Sequence, residues 1–300
     1  MLAFIFPGQG SQFVGMGREH FDSKTFCSVL ERADDVLEEK LSTLIAEGPA
    51  ETLTLTRNCQ PALLAVSVAY ARLLEERGLR CQAVAGHSLG EFSALVIGGA
   101  LDFDDALRLT RLRGELMQEA VAPGRGSMAA ILGLKGEDAL LDLCRAAAQG
   151  QVLEPSTYNC PGQMVVSGHA DAVERACELA NQFGAFAAKK LHVSAPFHCS
   201  LLRPAAKGLS VALQGVSLHT TDVPYAANAT GTLMSDAGGD EIARQLVAQV
   251  TQPVRWHACT RALIDYGVNQ MIEVGPGRVL TRLVRRIDRS VDAKTFQAAW

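Results

Sequence analysis

Apolar residues run without interruption from Leu2 to Phe6 before Pro7 and Gly8, a stretch of strand length that suits a strand covered on both faces and stopped by a loop. Apolar positions then recur at three- and four-residue spacing over 25–41 and 60–76, which predicts two helices. The second is expected to start at Pro61, after Gln60, and to close at Gly78, since proline is tolerated in a first turn and glycine ends a helix readily. Gln82 to Gly86 is again short and apolar, and a glycine-rich corner and an apolar stretch through Ala100 follow it. That order reads as strand, sharp turn and buried helix. Asp102 is a good N-cap for an amphipathic helix over 103–120, and Pro123, Gly124 and Gly126 break the chain behind it.

A different rhythm starts at Ser127. A strand over 127–134 precedes a helix from Glu137 to Ala148, a strand over 151–159, a turn at Pro161 and Gly162, a strand over 164–168, a helix from Ala170 to Phe183 and a strand over 186–193. The order βαββαβ is that of a split ferredoxin-like unit. From 196 onwards longer helices return, with apolar strands over 223–227 and from Gln270 to Val274, and Gly275-Pro276-Gly277 leads into a helix over 278–287. The chain is therefore expected to be an α/β body, mostly parallel, formed by 1–124 and 196–300, with 125–195 inserted as a small α+β subdomain.

With 300 residues, 48% of them hydrophobic and 20% charged, the chain has the composition of a folded protein with a sizeable core, which excludes a fibrous or disordered class. The 28 basic and 32 acidic residues leave a net charge of -4 with no block of like charge, so nucleic acid is not an expected partner. The longest uncharged apolar window, Pro61 to Ala71, is too short to span a membrane, and MLAFIFPGQG has no basic leader, so a cytoplasmic protein without membrane contact is expected. The eight cysteines are dispersed with no CxxC pair, which argues against a metal site and fits small buried apolar residues in a reducing compartment.

The chemistry concentrates at Gly86-His87-Ser88-Leu89-Gly90, which satisfies GxSxG between an expected strand and an expected helix. Glycines two positions either side of the serine allow a turn too tight for side chains, and the serine then stands at a helix N-terminus, where N–H groups favour developing negative charge. The competing reading is a glycine-rich turn with a capping serine. A serine nucleophile needs a base. Of seven histidines, His20, His169, His192, His219 and His257 lie in segments that read as surface helix, turn or strand edge; His87 points away on the tight turn; His198 follows Pro196 at a strand-to-helix junction and is the candidate base. No carboxylate in a suitable nearby loop completes a triad. The N–H of Leu89 supplies one oxyanion donor, and the loop FPGQGSQ, through Gln9 between Gly8 and Gly10, offers the second.

FPGQGSQ at 6–12, GHSLGE at 86–91, RLRGELMQEA at 111–120, NCPGQMVVSG at 159–168, PFHCSLL at 196–202, PVRW at 253–256 and EVGPGRVLTRL at 273–283 resemble, in order and over nearly the whole chain, the malonyl-CoA:acyl carrier protein transacylases. The resemblance implies an α/β-hydrolase-like large subdomain with an inserted ferredoxin-like subdomain. It implies Ser88 as the acylated nucleophile, His198 as its base, Gln9 and Leu89 as the oxyanion hole, and a main-chain carbonyl at Gln249, rather than a carboxylate, orienting the histidine. Arg113 would clamp a malonyl carboxylate with Met117 lining the same pocket. Periodicity alone does not single out Arg113 from Arg108 and Arg111 on the same helix, but a planar guanidinium matches a carboxylate with two parallel hydrogen bonds. Phe197, beside His198, would narrow the pocket against an α-methyl branch; many members of fatty acid synthesis carry serine there, and Phe197 resembles malonyl-selective polyketide domains. The substrates implied are malonyl-CoA and an acyl carrier protein, with coenzyme A as leaving group, phosphopantetheine on the carrier, no separate cofactor or metal, and a monomeric enzyme. Two rivals remain: a hydrolase that clears acyl groups from carriers, for which a buried cation has no use, and a silent docking subunit, which would need neither serine nor histidine.

Overall fold

The protein is described by a computed structural model covering residues 1–191 and 193–300; the candidate histidine His192 lies outside the described residues. Strand β1 (Leu2–Phe6) is followed by helices α1 (Lys24–Leu37), α2 (Leu41–Glu47), α3 (Ala50–Thr54) and α4 (Thr56–Glu76). Strand β2 (Ala83–Gly86) leads into α5 (Gly90–Ile97) and α6 (Phe103–Glu119). Next come β3 (Gly126–Leu132), α7 (Glu137–Ala148), β4 (Leu153–Cys160), β5 (Gln163–His169), α8 (Ala170–Leu179) and β6 (Ala187–Lys190). The chain continues through α9 (Arg203–Leu213), β7 (Tyr225–Ala226), β8 (Leu233–Met234), α10 (Gly239–Thr251), α11 (Trp256–Asp265), β9 (Gln270–Glu273), α12 (Val279–Ile287), β10 (Asp292–Thr295) and α13 (Phe296–Ala299).

Two sheets result. The larger has the order β10-β9-β1-β2-β7-β8 and is parallel except at β8. Strand β1 sits centrally, and its alternation divides the core: Phe4 and Phe6 join the apolar cluster with α4, α5 and α6, while Ala3 and Ile5 join the cluster with α11 and α12. A strand covered on both faces has no polar side, which is why Leu2–Phe6 reads as a continuous apolar run. The smaller sheet, order β4-β5-β3-β6, is antiparallel and packs α7 and α8 on one face through a third apolar cluster. This is the ferredoxin-like arrangement that the βαββαβ order foretold.

Several boundaries differ from the sequence expectation. The helix expected over 25–41 ends at Leu37, where Glu38 turns left-handed (φ 53°) before α2 begins. Helix α4 starts at Thr56, so Pro61 lies inside it rather than at its start. The ring leaves the carbonyl of Arg57 without its usual donor, and tertiary packing holds the extra turn against that loss. The relevant contact is with α6: a Cβ added to Gly114 would lie 2.7 Å from the Arg57 Cα and from the Thr56 carbonyl oxygen. Strands β8 and β10 lie at the two edges of the large sheet, where the short segments Leu233–Met234 and Asp292–Thr295 carry no unbroken apolar run, and the sequence does not predict them. His20, expected at the surface, is buried in an aromatic cluster with Phe26, Tyr70, Phe296 and Trp300.

The register of the large sheet creates the site. Strands β1 and β2 pair in parallel with Phe6 opposite Gly86, so the loops that leave their carboxyl ends, carrying Gln9 and Ser88, emerge side by side. Ligand sites in open parallel sheets form at such adjacent strand ends. The close approach of α4 and α6 brings Arg113, next to Gly114, against Gln60 on the facing helix. Gly114→Ala would force those helices apart and is expected to cost about 1–3 kcal/mol of stability; an unchanged thermal midpoint would contradict the close packing described.

Candidate active site

Glycine is required at both ends of the turn around Ser88. A Cβ on Gly86 would lie 1.9 Å from the carbonyl of Gly90, and one on Gly90 would lie 2.1 Å from the carbonyl oxygen of Phe6. The turn leaves Ser88 in the left-handed region at φ 53°, an unfavourable backbone for a residue with a Cβ. Two buried bonds from Asn228 brace it: its Oδ1 accepts the Ser88 N–H at 2.7 Å and its Nδ2 donates to the Gly86 carbonyl at 2.7 Å. His198 is also left-handed, at φ 59°. The other two non-glycine residues of this kind, Glu38 and Gln149, merely end helices. Strain away from helix ends thus falls on Ser88 and His198 alone among the described residues.

The small sheet holds the His198 loop. Ser156 Oγ donates to the Phe197 carbonyl at 3.0 Å, and Glu154 accepts the N–H and the hydroxyl of Ser200, both at 2.7 Å, so β4 grips the chain on either side of His198. The imidazole bridges two partners: Nδ1 to the Gln249 carbonyl at 2.7 Å and Nε2 to Ser88 Oγ at 2.8 Å. A carbonyl only accepts, so Nδ1 carries the hydrogen and Nε2 presents its lone pair to the serine. The Gln249 carbonyl is free for this because its helical donor would be residue 253, which is a proline and has no N–H. Burial above all, then the Arg113 charge, pushes the His198 pKa down to about 3, against the opposing pull of the Gln249 carbonyl. The ring is a neutral base throughout the physiological range.

Arg113 is 2% exposed. Its Nη1 donates to Gln60 Oε1 at 2.6 Å, and its Nη2 to Gln249 Oε1 at 2.7 Å and to Ser88 Oγ at 3.2 Å, while Nε finds no partner. All its acceptors are neutral. Among the described residues no carboxylate lies within ion-pair distance of the guanidinium; Glu91, also fully buried, reaches it only through the Gln249 side chain. Burial lowers the Arg113 pKa to about 10, partly offset by Glu91, and the group stays protonated at neutral pH. Burial likewise raises the Glu91 carboxyl to about 7, opposed by hydrogen bonds from Gln249 and Asn228 and by the Arg113 charge.

Ser88, His198, Arg113, Gln9, Leu89, Met117 and Phe197 all border one cavity of about 300 Å³, while Gln249 lies behind it. The N–H groups of Gln9 and Leu89 donate to no acceptor among the described residues, and both residues line the cavity with Ser88. Met117 accepts a 3.8 Å contact from Gln60 Nε2 through its sulfur, and Phe197 is nearly buried against the wall. Of the remaining histidines among the described residues, only His87 reaches the cavity, and its Nε2 is spent on Asn159 Oδ1 at 2.9 Å. Sequence reasoning missed Gln60, Glu91, Asn228, Glu154 and Ser156. Glu91 alone left a signal, as one charge in the otherwise apolar helix GEFSALVI.

The arrangement is that of an acyl-transfer site: a serine with a neutral base, two free N–H donors and a buried cation. Comparison with known proteins agrees. The profile of the acyl transferase domain family matches residues 3–298. The malonyl CoA-acyl carrier protein transacylase of Bacillus subtilis (strain 168) is 46% identical over 289 residues, 96% of this chain and 90% of that protein. The acyl carrier protein S-malonyltransferase of Vibrio cholerae superposes with a TM-score of 0.94 at 42% identity, covering 98% of this chain and 96% of that one. A malonyl-transacylase solved in complex with its type II PKS acyl-carrier protein gives a TM-score of 0.93 at 42% identity, over 98% of this chain and 94% of that one. The two-part architecture of an α/β-hydrolase-like body and a ferredoxin-like insertion is therefore shared with solved relatives, and the chain belongs to the acyl transferase domain family, together with the malonyl CoA-acyl carrier protein transacylases.

Proposed function

We propose that this chain transfers a malonyl group from malonyl-CoA to the phosphopantetheine thiol of an acyl carrier protein, through a malonyl ester on Ser88. The observation that carries the reading is Arg113, a buried cation at 3.2 Å from the Ser88 hydroxyl with only neutral protein partners. A buried charge without a counter-ion is unfavourable, and a carboxylate on the incoming acyl group supplies one. In the first half-reaction His198 Nε2 takes the Ser88 proton as Oγ forms a bond to the thioester carbonyl carbon. The oxyanion is held by the N–H groups of Gln9 and Leu89. Collapse breaks the carbon–sulfur bond, and His198 returns the proton to coenzyme A. In the second half-reaction the carrier thiol gives its proton to His198 and attacks the ester carbonyl, the carbon–Oγ bond breaks, and His198 returns the proton to Ser88 Oγ. Gln249 orients His198 through its main-chain carbonyl, Met117 and Phe197 shape the acyl end of the cavity, and no separate cofactor or metal enters either step.

The division into a body of 1–124 and 196–300 and an insertion of 125–195 belongs to the same proposal: β4 of the insertion holds the His198 loop, so the cavity closes between the two parts. A monomer suffices, because one chain contributes every group named. Among the described residues no helix is long and apolar enough to cross a membrane, and we place the reaction in the cytoplasm.

The intermediate is tested by intact-protein mass spectrometry after mixing with malonyl-CoA. A stable gain of about 86 Da that is absent from Ser88→Ala is expected; labelling that decays without a carrier would favour the hydrolase. Arg113→Ala should lower the preference for malonyl- over acetyl-CoA by at least about tenfold, since a buried charged pair is worth about 2–5 kcal/mol to a site built around it; retained preference refutes the clamp. Protonation disables the base, and the His198 pKa lies below its ordinary 6.5. In Glu91→Gln, which removes the buried carboxyl raised to about 7, the rate of Ser88 acylation should therefore hold as pH falls through 6.5; a midpoint there would show that the base is not desolvated as described.

A further inference from the structure

We propose that Glu91 is a positioning residue that fixes the orientation of the Gln249 side-chain amide and, through it, the aim of Arg113. The inference rests on the reading of Arg113 as the carboxylate clamp. Gln249 makes three side-chain bonds: Nε2 donates to the Ser88 carbonyl at 2.9 Å and to Glu91 Oε2 at 2.7 Å, and Oε1 accepts from Arg113 Nη2 at 2.7 Å. Only one orientation of the amide satisfies all three. Rotating it by half a turn would set an NH2 group against the guanidinium and an oxygen against a carboxylate, two like-polarity contacts in a dry interior.

The neutral carbonyl of Ser88 discriminates weakly between these orientations, whereas the ionised Glu91 carboxylate, fully present above its raised pKa of about 7, discriminates strongly, because hydrogen bonds to ionised acceptors are about twice as strong as neutral ones. Glu91, Gln249 and Asn228 are each 0% exposed, so their bonds are made away from bulk water. The carboxylate also accepts the Asn228 N–H at 3.3 and 3.4 Å, and Asn228 is the residue whose side chain braces both sides of the Ser88 turn. Glu91 therefore lies beneath two parts of the site at once, touching neither the nucleophile's oxygen nor the cavity. An apolar residue on this apolar helix would fill the space without the desolvation of a carboxyl group, and would leave the amide free to turn.

The consequence is a loss of selectivity distinct from a loss of folded enzyme. The ratio of kcat/KM for malonyl-CoA to that for acetyl-CoA does not depend on the fraction of protein that is active. In Glu91→Ala that ratio should fall by about tenfold or more, the size of effect expected when one buried charged contact is misdirected. Glu91→Gln keeps an oxygen that accepts from Gln249 and should hold the ratio within about threefold of the parent. Glu91→Met, which fills the same volume with apolar atoms, carries the expectation of the alanine variant should that one not fold. A ratio unchanged in the alanine and methionine variants, whatever the drop in total activity or thermal midpoint, overturns the proposal. A parent enzyme that shows no malonyl preference would instead bring down the clamp itself, and this inference with it.

Discussion

A guanidinium sealed from water with no carboxylate of the described residues in direct contact is the constraint around which the site is organised. Arg113 is held by the side-chain oxygens of Gln60 and Gln249 and by the Ser88 hydroxyl, and each is a neutral acceptor. Three dipoles keep the group in place without cancelling its charge, so the cavity retains a positive potential next to the nucleophile. The same charge acts on His198, where it joins burial in keeping the imidazole neutral. On the function proposed above, one residue thus prepares both the place for an acidic acyl group and the protonation state of the base.

The backbone that supports this chemistry is held out of its ordinary conformations by contacts that are themselves buried. Ser88 and His198 both adopt left-handed φ values, and each is fastened on two sides: Ser88 by Asn228, His198 by Ser156 and Glu154 on its flanks. The first set of fastenings comes from the large sheet's loops and the second from the small sheet. The dyad therefore depends on the two sheets being held together, and the backbone bonds between Val254 and Ser156 and Tyr158 in β4 are part of that junction. Locally unfavourable geometry persists where the surroundings over-determine it.

Much of this could be read from residues alone. The unbroken apolar run at Leu2–Phe6, the glycines around Ser88 and the proline-glycine break at 123–126 ahead of the small sheet are local signals, and each led to the observed element. Pairing of Ser88 with His198 came from setting aside the other histidines by their context and was supported by the resemblance to a known family, because 110 positions separate the two and periodicity is silent on what lies across a cleft. The Gln249 carbonyl has a physical signature in the proline four positions on, visible once helix α10 is in place. Asn228 and Gln60 left no comparable mark: an asparagine in a loop and a glutamine before a proline are ordinary until a partner from another element reaches them. His20 failed in the opposite direction, reading as a surface residue because the rings that enclose it come from three separate stretches of the chain.

The most direct measurement of the central claim is equilibrium binding, by calorimetry, of malonyl-CoA and acetyl-CoA to the Ser88→Ala protein, which cannot turn either over. If the Arg113 charge awaits a carboxylate, malonyl-CoA binds at least about tenfold more tightly, and the gap closes when Arg113 is also replaced. Equal affinities in the presence of Arg113 would contradict the account.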